Sequence, residues 1–249
     1  MDTADWLRVI RQAADLKVGD VQLIGGEPTL HPDLPRLVRS ALDHGLAVEV
    51  YTNLFRVTQQ IWQVFEQPGV RVATSYYSSK PVEHEAITGQ RRSQDRTRSN
   101  IGEAVARRIP IRVGLTRIHD GQDVEGAIDE LQALGVEDVS VDRLRQVGRG
   151  VRDRGPDLDQ LCGHCGRGNV AVSSDGTVWP CVFSRWLVLG SVRRNSLASI
   201  VESPAAQRTR ALLARASAGE RQAECAPGDG SPCQNPLCDP HLRPRGGTW

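Results

Sequence analysis

Short apolar, β-branched stretches alternate with helix-period stretches through roughly the first 150 residues, and this alternation restricts the possible folds more than any other feature. The strand candidates are VQLIGG (from Val21), LAVEVYTN (from Leu46), VRVATSYY (from Val70), IPIRVGL (from Ile109) and EDVSVDRL (from Glu137). Between them the apolar period becomes helical. Leu34, Leu37, Val38, Ala41 and Leu42 share one face, with Gly45 at a left-handed C-cap position; Val124, Ala127, Ile128, Leu131 and Leu134 repeat the pattern ahead of Gly135. At the amino end Thr3 is the expected N-cap of a helix that turns Trp6, Ile10, Ala13 and Ala14 inward. Such alternation predicts parallel β-α units with right-handed crossovers, as an open doubly wound sheet or an arc of a barrel; periodicity does not choose between them. In both, ligands gather at the carboxyl edge of the strands. Three of these edges are chemically suggestive: Gly25-Gly26-Glu27-Pro28 after the first strand, Thr52 and Asn53 after the second, and Ser75 to Ser79 after the third.

Composition removes several function classes. Thirty-one basic against 30 acidic side chains leave a net charge of +1, which shows no basic footprint for nucleic acid and excludes an acidic, disordered chain. No apolar run of about 18 residues exists, so no membrane-spanning helix is expected. The amino terminus reads as an amphipathic helix and not as a signal sequence. The expected location is the cytoplasm, where a disulfide framework is disfavoured. The six cysteines are nevertheless crowded together: Cys162, Cys165, Cys181, Cys225, Cys233 and Cys238, with none before. Two regions of different chemistry follow, residues 1–150 and 151–249.

The stretch from Arg149 to Asp159 is rich in Gly, charge and Pro and reads as a linker. Beyond it, NVAVSSDGTVWPCVF predicts a hairpin turning at Ser174, Asp175 and Gly176. SLASIVESPAAQRTRALLARAS predicts one or two short helices interrupted near Pro204, and the Gly/Pro/Asp-rich tail lacks a regular pattern. Cys162 and Cys165 are spaced to point at one centre from a tight turn, and the hairpin returns Cys181 towards them. Metal–thiolate coordination accounts for the six better than isolated buried thiols. The spacing fits a zinc ribbon poorly and an iron-sulfur cubane modestly better; His164 and His241 read as solvated loop residues. In the first region, the two glycines of GGEP let a ligand approach the backbone, and Glu27 adds a carboxylate for an ammonium group. A plain strand-to-helix turn is the competing reading, and the glycine spacing is neither a Walker loop nor a dinucleotide fingerprint.

Together the two regions resemble the radical S-adenosylmethionine (SAM) superfamily. GGEP in VQLIGGEPTLHPDL is similar to the motif after that family's second strand, and YTN and SYYS to its third and fourth strand ends. Cys165, ten residues, Gly176, four residues and Cys181 resemble the entrance of its SPASM or twitch extension, and Cys225, Cys233 and Cys238 a variant of the closing cysteines. The resemblance implies a partial (β/α) barrel of parallel strands, its first strand missing, followed by a small hairpin-and-helix iron-sulfur extension. It implies that Gly25, Gly26, Glu27 and Pro28 hold the amino group of SAM, with Asn53 and Ser75 near its ribose or carboxylate. It further implies that Cys162, Cys165, Cys181 and one of Cys225, Cys233 and Cys238 ligate one auxiliary 4Fe-4S cluster. The function implied is modification of a ribosomally made peptide by radical hydrogen abstraction, with an external electron donor and with no nucleic-acid or membrane partner.

One departure bears on activity. The family's C-x3-C-x2-C motif, which holds the SAM-cleaving cluster, is absent, because no cysteine precedes Cys162. Either the reading frame extends upstream and encodes a competent oxidoreductase or maturase, or the chain is a truncated, non-catalytic relative that binds a cluster or zinc and a peptide or protein partner. Four other residues have plainer expectations. His84 reads as a loop residue, solvated or facing substrate; Arg112 as an exposed strand residue unless it turns inward to a carboxylate; Trp179 as packing beside the cluster site; the basic run from Gln90 as a solvated helix start, with the capacity to meet an acidic peptide.

Overall fold

The computed structural model describes residues 1–145, 150, 155–162 and 164–224, with backbone alone for 217–224. The chain divides into two compact units, Met1–Leu144 and Arg145–Trp249. Residues 149 and 151–154 of the expected linker lie outside the described residues, as do Cys225, Cys233, Cys238 and His241.

The first unit runs α1 (Thr3–Asp15), β1 (Asp20–Leu23), α2 (Leu34–Asp43), β2 (Ala47–Tyr51), α3 (Gln59–Phe65), β3 (Val70–Tyr76), α4 (Pro81–Thr88), α5 (Ser93–Ala106), β4 (Ile111–Arg117), α6 (Val124–Ala133) and β5 (Asp138–Arg143). All five strands pair in parallel in the order β1-β2-β3-β4-β5. That order settles what periodicity left open. A doubly wound sheet reverses direction partway across, whereas right-handed crossovers in sequential order put every helix on the same face and curve the sheet into a barrel arc. The helix-facing residues Val48, Val50, Val70, Val72, Val113 and Leu115 are buried in one core with Ile10, Leu37, Phe65, Ile101 and Leu131. The opposite face is polar: Gln22, Glu49, Tyr51, Arg71, Ser75, Arg112, Asp138 and Ser140 alternate with that apolar set. A closed barrel packs branched apolar side chains at such positions, so this inner face is suited to a polar ligand.

Local chemistry explains the element ends. The N-cap of α1 is Asp2 and not Thr3: the Asp2 carboxylate accepts from the Asp5 amide at 2.9 Å, and Asp5 returns the bond to the Asp2 amide. Thr3 instead donates to Asp33 at 2.6 Å. Past α2, Gly45 (φ +78°) donates to the Leu42 carbonyl and Leu46 to that of Ala41, a left-handed stop that an L side chain would strain. KPVEHEAITG is not a loop. It forms α4, with Pro81 in the first turn and left-handed Gly89 (φ +66°) after it.

In the second unit, β6 (Ala171–Val172) and β7 (Thr177–Trp179) form the expected hairpin. Asp175 closes the turn by accepting from the Thr177 amide at 2.8 Å and from the Ser173 hydroxyl. A third strand that the sequence did not suggest, β8 (Gly190–Ser191), pairs antiparallel with β7. Two helices follow, α7 (Leu197–Val201) and α8 (Pro204–Glu224); Pro204 begins the second, which is long and not short. Leu161, Cys165, Cys181 and Leu213 form one buried cluster of this unit, and Val178, Ile200 and Ala206 are buried as well. Among the described residues no helix is long and apolar enough to cross a membrane.

Candidate functional site

The carboxyl edge of the first unit is organised by Glu27. Its Oε1 accepts from the Thr29 amide (3.1 Å), the Thr29 hydroxyl (2.8 Å) and the buried Thr52 hydroxyl (2.6 Å), and its Oε2 accepts from the Asn53 amide (2.8 Å). The carboxylate is thus occupied in tying the β1 turn to the end of β2, and the open part of GGEP is its backbone. Gly25 has φ +136°, and a Cβ added to Gly25 or Gly26 would meet nothing within 4 Å, so the turn is accessible from outside. Asn53 is exposed, its Oδ1 accepting from the Phe55 amide at 2.8 Å. Ser75 lies on the inner face two strands from the glycines, its hydroxyl 3.0 Å from that of Tyr51. A Cβ at Gly114 would stand 3.4 Å from the Tyr51 hydroxyl, so the absence of a side chain there leaves the pair uncovered. These residues combine backbone, amide and hydroxyl groups on one sheet edge, a donor set that fits the polar ends of SAM.

Deeper on the same face, Glu49 is only 2% exposed. Arg112 grips it with two bonds of 2.7 and 2.8 Å, Arg71 adds one of 2.9 Å, and Gln22 a further short one. Burial alone would raise this carboxyl, but the bonds from Arg112 and Gln22 and the charges of Arg112 and Arg71 outweigh it and bring the pKa down to about 2. Arg112 therefore turns inward to a carboxylate. The signal for Glu49 was present in the sequence: a charged residue midway along a strand whose neighbours are all apolar.

His84, expected in a loop, is buried in α4. Its ring packs against Tyr76 (4.8 Å) and Tyr77 (5.4 Å), Nδ1 lies 2.9 Å from the Ser93 hydroxyl, and Nε2 has no partner among the described residues. Burial lowers its pKa to about 4 against the pull of Glu130 and Glu85.

In the second unit, Cys162, Cys165 and Cys181 come together, with the Cys165 thiol contacting both others. Its neighbours' hydrogen bonds raise the Cys165 pKa, while the bond from Cys165 helps Cys162 and Cys181 to ionise. The Phe183 amide donates to the Cys181 sulfur at 3.2 Å, and the charge of Arg145 also favours a Cys162 thiolate. Arg145 is fixed by donating to the Gln160 carbonyl at 2.8 Å and lies 5.6 Å over the Phe183 ring. Soft sulfur donors, two of them biased towards the thiolate and one met by an amide, fit a thiophilic iron centre. The three sulfurs form a chain of contacts: among the described residues no group of three or more His, Cys, Asp or Glu is arranged around a single ion. Trp179 carries Arg185 over its ring at 5.6 Å, and its indole N–H is buried without a partner among the described residues.

A sequentially wound parallel sheet with a GGEP turn at its carboxyl edge, followed by a hairpin unit with converging thiols, defines a partial β/α barrel protein with a thiolate-bearing extension. The family model of the radical SAM superfamily matches residues 1–134, and that of SPASM, an iron-sulfur cluster-binding domain, matches residues 145–235. The chain belongs to the radical SAM superfamily. It is 30% identical over 166 residues to a PqqA peptide cyclase of Xanthomonas axonopodis pv. citri (strain 306), covering 65% of this chain and 45% of that protein. A PqqA peptide cyclase of Ruegeria pomeroyi (strain ATCC 700808 / DSM 15171 / DSS-3) is 29% identical over 156 residues, 62% of this chain and 42% of that one. The chain thus spans less than half the length of these relatives. Among solved structures, Streptococcus suis SuiB matches with a TM-score of 0.68 at 15% identity over 85% of this chain and 62% of that one. The anSMEcpe structure with bound AdoMet and Cp18Cys peptide matches with a TM-score of 0.64 at 12% identity, over 86% and 76% respectively. Both likenesses place the fold alone.

Proposed function

We propose that this chain carries the SAM-binding sheet and the auxiliary-cluster extension of a radical SAM enzyme that modifies a peptide by radical hydrogen abstraction, supplied with electrons by an external donor. The observation that carries the reading is the meeting of Cys162, Cys165 and Cys181 across the hairpin, in a chain whose other unit presents an open GGEP edge. The peptide substrate is supported by the names of the PqqA peptide cyclases and by the fold shared with SuiB, a structure of which holds its precursor peptide SuiA.

In this reading the backbone of Gly25 to Pro28 receives the amino group of SAM, and Asn53 and Ser75 lie along its ribose or carboxylate. Glu27 acts as a positioning residue through Thr29, Thr52 and Asn53. Cys162, Cys165 and Cys181 hold a 4Fe-4S cluster, with a further ligand from Cys225, Cys233 or Cys238. When bound, such a cluster supplies one-electron chemistry. The Phe183 amide disperses charge on the Cys181 sulfur, and Arg145 offsets that of Cys162. A C-x3-C-x2-C motif is not among these 249 residues, and no step of SAM cleavage is derived from them.

Iron and acid-labile sulfide analysis of anaerobically prepared protein tests the reading. About four of each per chain are expected, with most of both lost in Cys165→Ala and Cys181→Ala. Trace iron throughout, or zinc in their place, overturns it.

A further inference from the structure

We infer that a groove beside the carboxyl edge of β2, lined by Arg56, Arg92 and Arg96, is a docking site for an acidic segment of a peptide. The inference rests on the peptide-modifying reading above and deepens it. The groove, of about 310 Å³, lies between the segment after β2 and the start of α5, with Phe55 as its aromatic wall. All three arginines are exposed, and among the described residues none has an ion pair. Asp95 is the one acidic residue lining the groove, so guanidinium outnumbers carboxylate by three to one in a chain whose net charge is only +1.

One of the guanidiniums, and the backbone that carries a second, are also held in advance of any partner. Arg96 sits 5.1 Å over the Phe55 ring. Arg92 adopts a left-handed backbone (φ +61°), with its amide donating to Glu85 at 2.7 Å. The walls are fixed to each other: Asn100 donates to the Leu54 carbonyl at 2.6 Å, and the Thr97 hydroxyl to that of Asn53 at 2.9 Å. Pre-positioning of this kind lowers the ordering cost of binding. A planar Arg96 guanidinium over Phe55, with Arg56 and Arg92 beside it, matches carboxylates spaced along an extended chain. Nucleic acid is a poorer fit, since it needs a basic track longer than three side chains. Asn53, two residues before Phe55 and tied to α5 through its carbonyl, also donates its amide to Glu27. A peptide anchored in the groove therefore begins beside the edge assigned to SAM.

Fluorescence anisotropy on the whole chain tests this, with a labelled short peptide containing several Glu and its Gln counterpart. The Glu peptide is expected to bind more tightly, with an affinity that falls as salt rises. Arg56→Gln/Arg96→Gln should weaken it by about fivefold to tenfold. Arg56→Gln alone, at an exposed residue whose side chain has no hydrogen bond or ion pair among the described residues, should weaken it by about twofold to threefold. Arg36→Gln/Arg39→Gln on exposed positions of α2 removes the same charge and should change nothing. Equal binding of the two peptides, an equal loss in the α2 pair, or displacement by inorganic phosphate at matched ionic strength overturns the inference. Iron content is read separately: loss of the Glu preference with iron intact sinks the groove alone, and absence of iron with the preference intact sinks only the enzymatic reading.

Discussion

Four donors from two strand ends converge on the Glu27 carboxylate, so this side chain sets where the backbone of GGEP stands. Thr52→Val keeps the shape and removes one donor from a buried position. We expect a loss of about 1–2 kcal/mol in urea unfolding, together with weaker SAM binding at unchanged iron content. A fall in iron without a change in SAM affinity would contradict the positioning role. His84 makes a second prediction at this scale. Its pKa is about 4 folded against 6.5 free, so between these values the unfolded chain binds the proton more readily than the native one. Stability is therefore complete above pH 6.5 and falls as pH drops towards 4, by up to about 3 kcal/mol. Denaturant midpoints across that window should slope in the native protein and flatten in His84→Gln. His84 is also where residue-level reading of the sequence failed. The mixture of Val, Glu, His, Ile and Thr in α4 has little helical periodicity, although Pro81 at its start and Gly89 at its end were valid boundary signals.

The sheet is the element in which sequence and structure agree best, for a physical reason. Its central strands β2 to β4 bury one face in the helices, so short apolar, β-branched stretches marked the strands from Val21 to Arg143. Sheet curvature was not legible, because the order of strands depends on crossovers and not on period. The two-residue β8 was not legible either, since its pairing is selected by the β7 edge and not by its own Gly190 and Ser191. The Glu49 network draws one residue from each of four strands, β1 to β4, and belongs to this scale. Arg112→Met removes the two-bond partner from a buried carboxylate, and we expect a cost of about 3 kcal/mol. Glu49→Leu/Arg112→Met should recover most of it, as paired removal leaves no buried charge. The Glu49 pKa of about 2, against an ordinary 4.5, adds an acid limb distinct from that of His84. Its contribution is complete above pH 4.5 and is lost as pH falls towards 2, so the double variant should lack that limb while keeping the one between 6.5 and 4.

For the whole molecule, the two compact units have different sources of order. The first has a continuous apolar core reaching from Ile10 to Val136. The second has smaller buried clusters, one of which joins Cys165 and Cys181 to Leu161 and Leu213. The meeting of Cys162, Cys165 and Cys181 was legible from cysteine spacing along the chain; Cys225, Cys233 and Cys238, one of which is the proposed further ligand, lie outside the described residues. If the buried sulfurs of this unit hold a cluster as proposed, the unit should draw folding energy from the metal, as small metal domains do. The first unit, which contains no cysteine, should draw none. We therefore expect chelation of iron from anaerobically prepared protein to speed amide hydrogen exchange in residues 155–216 and to leave β1 to β5 unchanged. Cys181→Ala should reproduce the pattern without chelator. Equal acceleration in both units would mean that the sheet, too, depends on the metal, and unchanged exchange in residues 155–216 would mean that the sulfur centre is held by its apolar neighbours Leu161 and Leu213 alone.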